Sequence, residues 1–292
     1  MKKIVFGIGL VLLLVGYFGF KMYAASVAEE RINVAIAEAS EFVDIDYEDV
    51  SVDAMGLNVR ISNVTIAQVD AKLGDSEKIK IEEIVVHDID GSSSEMPLFM
   101  SVCLKGMKLD GALNPKEMTR LKELGYDEKL LSDISIDYFY DQDKKELTVK
   151  EFSGNTDNVG KMNLSMHISN INLNPDMTMQ QIFENEKAMI HTAEINYTDD
   201  SFFNRMLEFE AKKARQSPDE FKQMLMQELD RSMKVKEDQF TQDVVTAVKN
   251  FIENPKKFSV SINPDKPFIF NKLKRIRDPK DLIPLLNLKV KS

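Results

Sequence analysis

Tryptophan is absent from this chain, and cysteine occurs once, at Cys103. A single cysteine excludes an intrachain disulfide, a CxxC redox pair and any four-cysteine zinc site. Glycine totals 12 and proline 9, and no GxSxG elbow, Walker loop or GxGxxG run occurs. The local motifs for an activated serine or a cradled phosphate are therefore missing. The three histidines, His87, His167 and His191, stand far apart, outside any HExxH or HxH pattern. Positive charge is also in deficit, with 38 Lys+Arg against 48 Asp+Glu and a net charge of -10. Lys2, Lys3 and Lys21 lie at the very start, so the rest of the chain is more acidic still. That balance argues against nucleic acid and against non-specific adherence to anionic headgroups. Hydrophobic residues make up 43% of the sequence, enough for a packed core.

What is present begins at the N-terminus. Lys2 and Lys3 precede Ile4 to Phe20, a run without a charge, and Lys21, Met22 and Tyr23 follow. A bilayer core needs roughly 17–25 apolar residues as a helix, and flanking lysines stay on the cytoplasmic side. The run is expected to be an inner-membrane anchor over residues 1–25, with the bulk of the chain in a bacterial periplasm. A cleaved signal remains the alternative, since Ala24 and Ser26 are small residues at positions that suit a cut. Lys21 and Tyr23 at the boundary favour the anchor.

Beyond it the period of the apolar pattern changes twice. Ala28, Ile32, Ala35, Ile36 and Ala39 recur at helical spacing, which predicts a stalk over residues 26–42. Residues 43–200 then alternate in short runs: Val43, Ile45 and Tyr47; Val59, Ile61, Val64 and Ile66; Ile134, Ile136 and Tyr138; Met162, Leu164, Met166 and Ile168. Period-two runs between turn residues describe an antiparallel sheet with one face buried. A short helix is inserted at Asn114-Pro115-Lys116-Glu117, stopped by Gly125. Residues 201–256 read as a helical block, with Ser217-Pro218-Asp219-Glu220 as a capping box. Residues 257–292 return to strands through Phe258 to Ile262 and Leu288 to Val290. The expected fold class is α+β: an N-terminal transmembrane helix, then a twisted antiparallel sheet with the helical block packed on one face.

Candidate chemistry is sparse. His87-Asp88-Ile89-Asp90 offers metal donors, but it falls beside the Gly91-Ser92-Ser93-Ser94 turn and reads as solvated. Asp44, Asp46 and Glu48 alternate with apolar residues and belong to the wet face of a strand. Cys103 reads as a small buried hydrophobe in a strand. No catalytic, cofactor or metal residue is expected. Two features point to partners. Phe203, Met206, Leu207, Phe221, Leu225, Val245 and Val248 are expected to line an apolar groove between the helices and the sheet. Lys272, Lys274, Arg275 and Arg277 form the clearest basic patch in an acidic context, suited to an anionic partner or to balancing nearby acids.

The layout resembles bacterial membrane-anchored extracytoplasmic proteins of the AsmA-like and YdgA-like groups. The stretches that carry the resemblance are Val43 to Val52 leading to Asn63-Val-Thr-Ile66, Leu124-Gly-Tyr-Asp127 leading to Asp137 to Asp141, Asn263 to Pro267, and Leu285 to Leu288. The resemblance implies an elongated β-sheet and a non-catalytic role in lipid handling or envelope upkeep, with phospholipid or another envelope protein as partner. An envelope hydrolase built from scattered carboxylates, and a structural or interaction scaffold, are the alternatives.

Overall fold

The computed structural model describes residues 32–33, 36–37, 43–53, 58–68, 78–90, 97–109, 113, 115–126, 129–172, 187–235, 238–276 and 281–292. Its strands are β1 (Val43–Asp46), β2 (Asp49–Val52), β3 (Val59–Gln68), β4 (Ile79–Ile89), β5 (Phe99–Lys108), β6 (Leu131–Asp141), β7 (Glu146–Thr156), β8 (Gly160–Ser169), β9 (Met189–Asp199), β10 (Lys257–Ile262), β11 (Phe268–Ile269) and β12 (Lys289–Lys291). The helices are α1 (Pro115–Glu123), α2 (Phe202–Lys213), α3 (Pro218–Val235), α4 (Gln239–Glu253) and α5 (Leu282–Leu286), with a 3-10 turn at Phe270–Arg275.

All 12 strands join one antiparallel sheet in the order β1-β3-β4-β5-β6-β7-β8-β9-β10-β12, with β2 beside β3 and β11 beside β9. This overturns the expected arrangement of a sheet with a helical block covering one face. The apolar stripes of the helices are spent mainly on each other. α2 packs on α3, α3 on α4, and α4 reaches the sheet mainly at β10 and β12. No helix among the described residues is long and apolar enough to cross a membrane. The expected anchor at residues 1–25 lies outside the described residues, as do most of the stalk and the capping Asn114.

The sheet has one apolar face because paired residues across antiparallel strands project to the same side. One continuous row reads Val52, Val59, Val86, Val102, Ile136, Phe152, Leu164, Ile195, Val260 and Val290. A second reads Val50, Ile61, Ile84, Leu104, Ile134, Gly154, Met162, Tyr197 and Phe258. Both rows are sealed at their β3–β5 end, where Ile84 and Leu104 are 1% exposed. The reverse face is mostly polar, and one of its rows runs Val85, Cys103, Ser135, Ser153, Asn163, Asn196 and Ser259, with Val85 buried and Phe139 of a neighbouring row 45% exposed. Cys103 is therefore half-buried on the polar face, not in the core, and its Sγ accepts a hydrogen bond from Ser135 at 3.4 Å.

Bulges bend the strands. Gly106 stands at the irregularity in β5 with φ +62, and a Cβ there would meet the Glu82 side chain at 2.5 Å. Its amide donates to Asp133 at 2.8 Å, and the positive φ and the nearby Glu82 side chain favour glycine at that bend. On the polar face Arg60 and Lys105 both reach Glu83, at 2.8 and 2.9 Å. The hydrogen bond from Arg60, then that from Lys105, holds the Glu83 carboxyl below the usual glutamate range. A depressed carboxylate stabilises the fold above its unfolded pKa, and the gain is lost as pH falls through the folded value. Glu83→Gln is thus expected to cost up to about 1 kcal/mol at pH 7. The gap to wild type should begin to narrow as pH falls below the ordinary glutamate pKa of about 4.3 and shrink further through the lowered folded value. Urea denaturation at pH 7 and pH 3 reads both; an equal gap at the two pH values would remove the ion-pair account.

Candidate functional site: an open stretch of the apolar face

The apolar rows change character along the sheet. Leu104 is sealed, but in the same row Met162 is 57% exposed, and in the neighbouring row Phe152 and Ile195 are each 46% exposed. Leu164, between Phe152 and Ile195, is half-buried. Gly154 pairs with both Ile134 and Met162, and a Cβ built there would meet nothing within 4 Å. The middle of the apolar face on β7–β9 is therefore an open strip with a gap at Gly154.

Both ends of this strip are closed. At the helical end Phe251 of α4 meets Phe203 of α2 edge-on at 5.1 Å, Phe258 at 5.7 Å and Tyr197 at 6.1 Å between ring centroids. Asp199 ties β9 to α2 by accepting from the Tyr197 hydroxyl at 2.6 Å and the Phe203 amide at 2.9 Å. Burial first, then this bond to the carboxylate, pushes the Tyr197 phenol pKa upward, so it stays a neutral donor. Arg205 extends the cap to α1, lying 4.3 Å over the Tyr126 ring and donating to the carbonyl of Gly125. At the other end Phe268, Phe270, Leu286, Ile171 and Ala188 bury Ile168 and Ile190. Tyr140 donates to the Ile171 carbonyl at 2.8 Å there. An aromatic cap and an apolar plug thus bound a stretch of exposed Phe152, Met162 and Ile195 around half-buried Leu164.

The residues expected to line a groove are distributed differently. Leu207 and Val245 are buried at 8% and 6%. Phe221, Leu225 and Val248 are half-buried within the helices, and Met206 is 37% exposed. Phe203 alone of the seven joins the aromatic cap described above. The strip is lined by strand residues that the sequence pattern did not single out. Of the basic patch, Lys272 is exposed in the 3-10 turn, which also carries the backbone of Lys274 and Arg275. Arg277 lies outside the described residues.

Other polar candidates are structural. Asp90 is buried, not solvated, and accepts the Leu98 amide at 3.1 Å to close the β4–β5 connection. His87 pairs with Asn58 at 2.6 Å. His167 and His191 stack on the polar face with ring centroids 4.2 Å apart, and Glu146 lies 3.7 Å from His167. Burial, then the neighbouring His167, lowers the His191 pKa. Among the described residues no group of three or more His, Cys, Asp or Glu is placed to hold a metal.

Similarity to known proteins reaches across the whole chain without naming an activity. A family model described as "Uncharacterized protein" matches residues 153–292, which contain Gly154, Met162 and Ile195 of the strip. A protein of Aquifex aeolicus (strain VF5), also described as an uncharacterized protein, is 23% identical over 310 residues, covering 98% of each chain. Neither description links the chain to the AsmA-like or YdgA-like groups.

Proposed function

We propose that this protein is a non-catalytic lipid-handling protein that lays acyl chains along the open apolar strip of β7–β9. The observation that carries this reading is the exposure of Phe152, Met162 and Ile195 beside the open space at Gly154, inside rows that are sealed on β3–β5 and half-buried elsewhere. Large apolar residues left open in a bounded stretch, lined by polar surface on the reverse face, mark a binding site for an apolar ligand. A chain of methylenes suits the strip because burial there contributes about 0.8 kcal/mol per CH₂ and asks for no polar partner. The location proposed is the outer side of a bacterial inner membrane. It is supported by Lys2 and Lys3 ahead of the uncharged run Ile4 to Phe20, and by the resemblance in layout noted above. Phospholipid of that membrane is the proposed partner.

The test is co-purification. Full-length protein isolated from bacterial membranes in an amphipathic polymer is expected to retain phospholipid in near-stoichiometric amount. The double variant Phe152→Asp and Ile195→Asp should lose most of it. Equal lipid on wild type and variant would place the lipid elsewhere and overturn the reading.

A further inference from the structure

We propose that copies of this chain associate head to tail, with β12 of one copy pairing with β1 of the next to extend the sheet. The sheet ends in β1 and β12 among the described residues, and these two strands do not pair with each other. Unpaired edges present backbone donors and acceptors that accept a further strand. Each step along the path from β1 to β12 is antiparallel, and nine such steps leave β12 running opposite to β1. A copy translated across the sheet therefore brings β1 antiparallel against β12 with both apolar faces on the same side.

The side chains at the two edges match in that arrangement. In β1, Ile45 packs against the apolar core while Asp44 and Asp46 are exposed. In β12, Val290 is half-buried and continues the apolar row through Val260, while Lys289 and Lys291 are exposed. Antiparallel pairing sets Ile45 opposite Val290, Asp44 opposite Lys291 and Asp46 opposite Lys289. Opposite charges across strands attract, and like charges directly opposite repel. Two β1 edges would set Asp against Asp, and two β12 edges Lys against Lys. The charges that keep identical edges apart thus favour unlike edges, so the contact is heterologous and propagates instead of closing as a symmetric dimer. β1 spans four residues and β12 three, so the association is weak and reversible. It requires no bound lipid and stands apart from the function proposed above.

Disulfide trapping of the full chain in its membrane tests this. In a Cys103→Ser background, Asp46→Cys combined with Lys289→Cys is expected to give a ladder of dimer, trimer and higher species on mild oxidation. Asp46→Cys or Lys289→Cys alone is expected to give no more than background dimer. Adding Asp44→Lys to the paired-cysteine chain should weaken the ladder, and adding Lys291→Asp as well should restore it. Asp44, Asp46, Lys289 and Lys291 are exposed, so an unchanged melting temperature checks that every variant is folded. The proposal is overturned if the paired-cysteine chain stays monomeric while folded. It is equally overturned if either single-cysteine chain gives as much dimer, or if charge reversal leaves the ladder unchanged.

Discussion

Leu104→Ala is expected to lower the stability of the fold by about 2–5 kcal/mol, the range for a leucine removed from a sealed core. Met162→Ala is expected to change it by under about 1 kcal/mol, as for an exposed position. The two residues belong to one row of the same sheet face, separated by Ile134 and Gly154. Leu104 is 1% exposed and Met162 57%, so truncating the first leaves a cavity and truncating the second shortens a side chain already in water. Denaturant unfolding of both variants makes the comparison. Equal losses would mean that β8 is as closely covered as β5, and the open strip would not exist.

Gly154→Phe carries the second large effect. Its backbone φ is not positive, and a Cβ at this position meets nothing within 4 Å, so a Cβ is accepted without strain. A glycine inside a strand also weakens it relative to residues with a side chain. The variant is therefore expected to be as stable as wild type or more so, within about 1 kcal/mol. The phenyl ring would occupy the gap between Ile134 and Met162 and exclude an acyl chain from the middle of the strip. Lipid binding should fall at least about tenfold, the consequence of losing roughly 1.4 kcal/mol of contact. Retained binding in a folded variant would move the lipid off β7–β9.

Much of the sheet is legible in the sequence. The alternation of Ile134, Ile136 and Tyr138, the turn at Asp141 to Lys145 and the return through Leu147 and Val149 give the β6–β7 hairpin directly. Met162 to Ile168 gives β8, and the capping box at Ser217 is made as its residues suggest. There the Ser217 amide donates to Glu220 at 2.8 Å and the Glu220 amide to the Ser217 hydroxyl at 3.3 Å. The strip escaped for a specific reason. On β7 the apolar residues switch parity, from Leu147 and Val149 to Phe152 and Gly154, because a bulge lies between Val149 and Phe152. Strict period two assigns Phe152 to the polar face, and only the register places it beside Ile136 and Leu164. A second shift at His167/Ile168 does the same for Ile190 and Ala193 on β9. Gly154, which reads as a weak point in a strand, gains meaning only from the space above it.

The helical block misled in the opposite way. Its stripes are real, with Leu207, Ala211, Val245, Ala247 and Ile252 buried. A stripe does not say which neighbour it buries against. Here the neighbours are mostly other helices, so of the residues read as groove lining Leu207 and Val245 are buried, Phe221, Leu225 and Val248 are half-buried, and Met206 is exposed. Phe251 and its ring partners Tyr197, Phe203 and Phe258, with the packing of α4 on β12, carry the helical cap onto the sheet.

The most direct test of lipid binding on the sheet is photo-crosslinking. Full-length protein is exposed to phospholipid carrying a diazirine in its acyl chain, and the adducts are mapped by peptide mass spectrometry. Binding on the strip predicts adducts concentrated on β7–β9, at and around Phe152, Met162 and Ile195, and strongly reduced in Gly154→Phe. Adducts confined to the N-terminal segment, or to helices α2–α4 with β7–β9 clean, would contradict it.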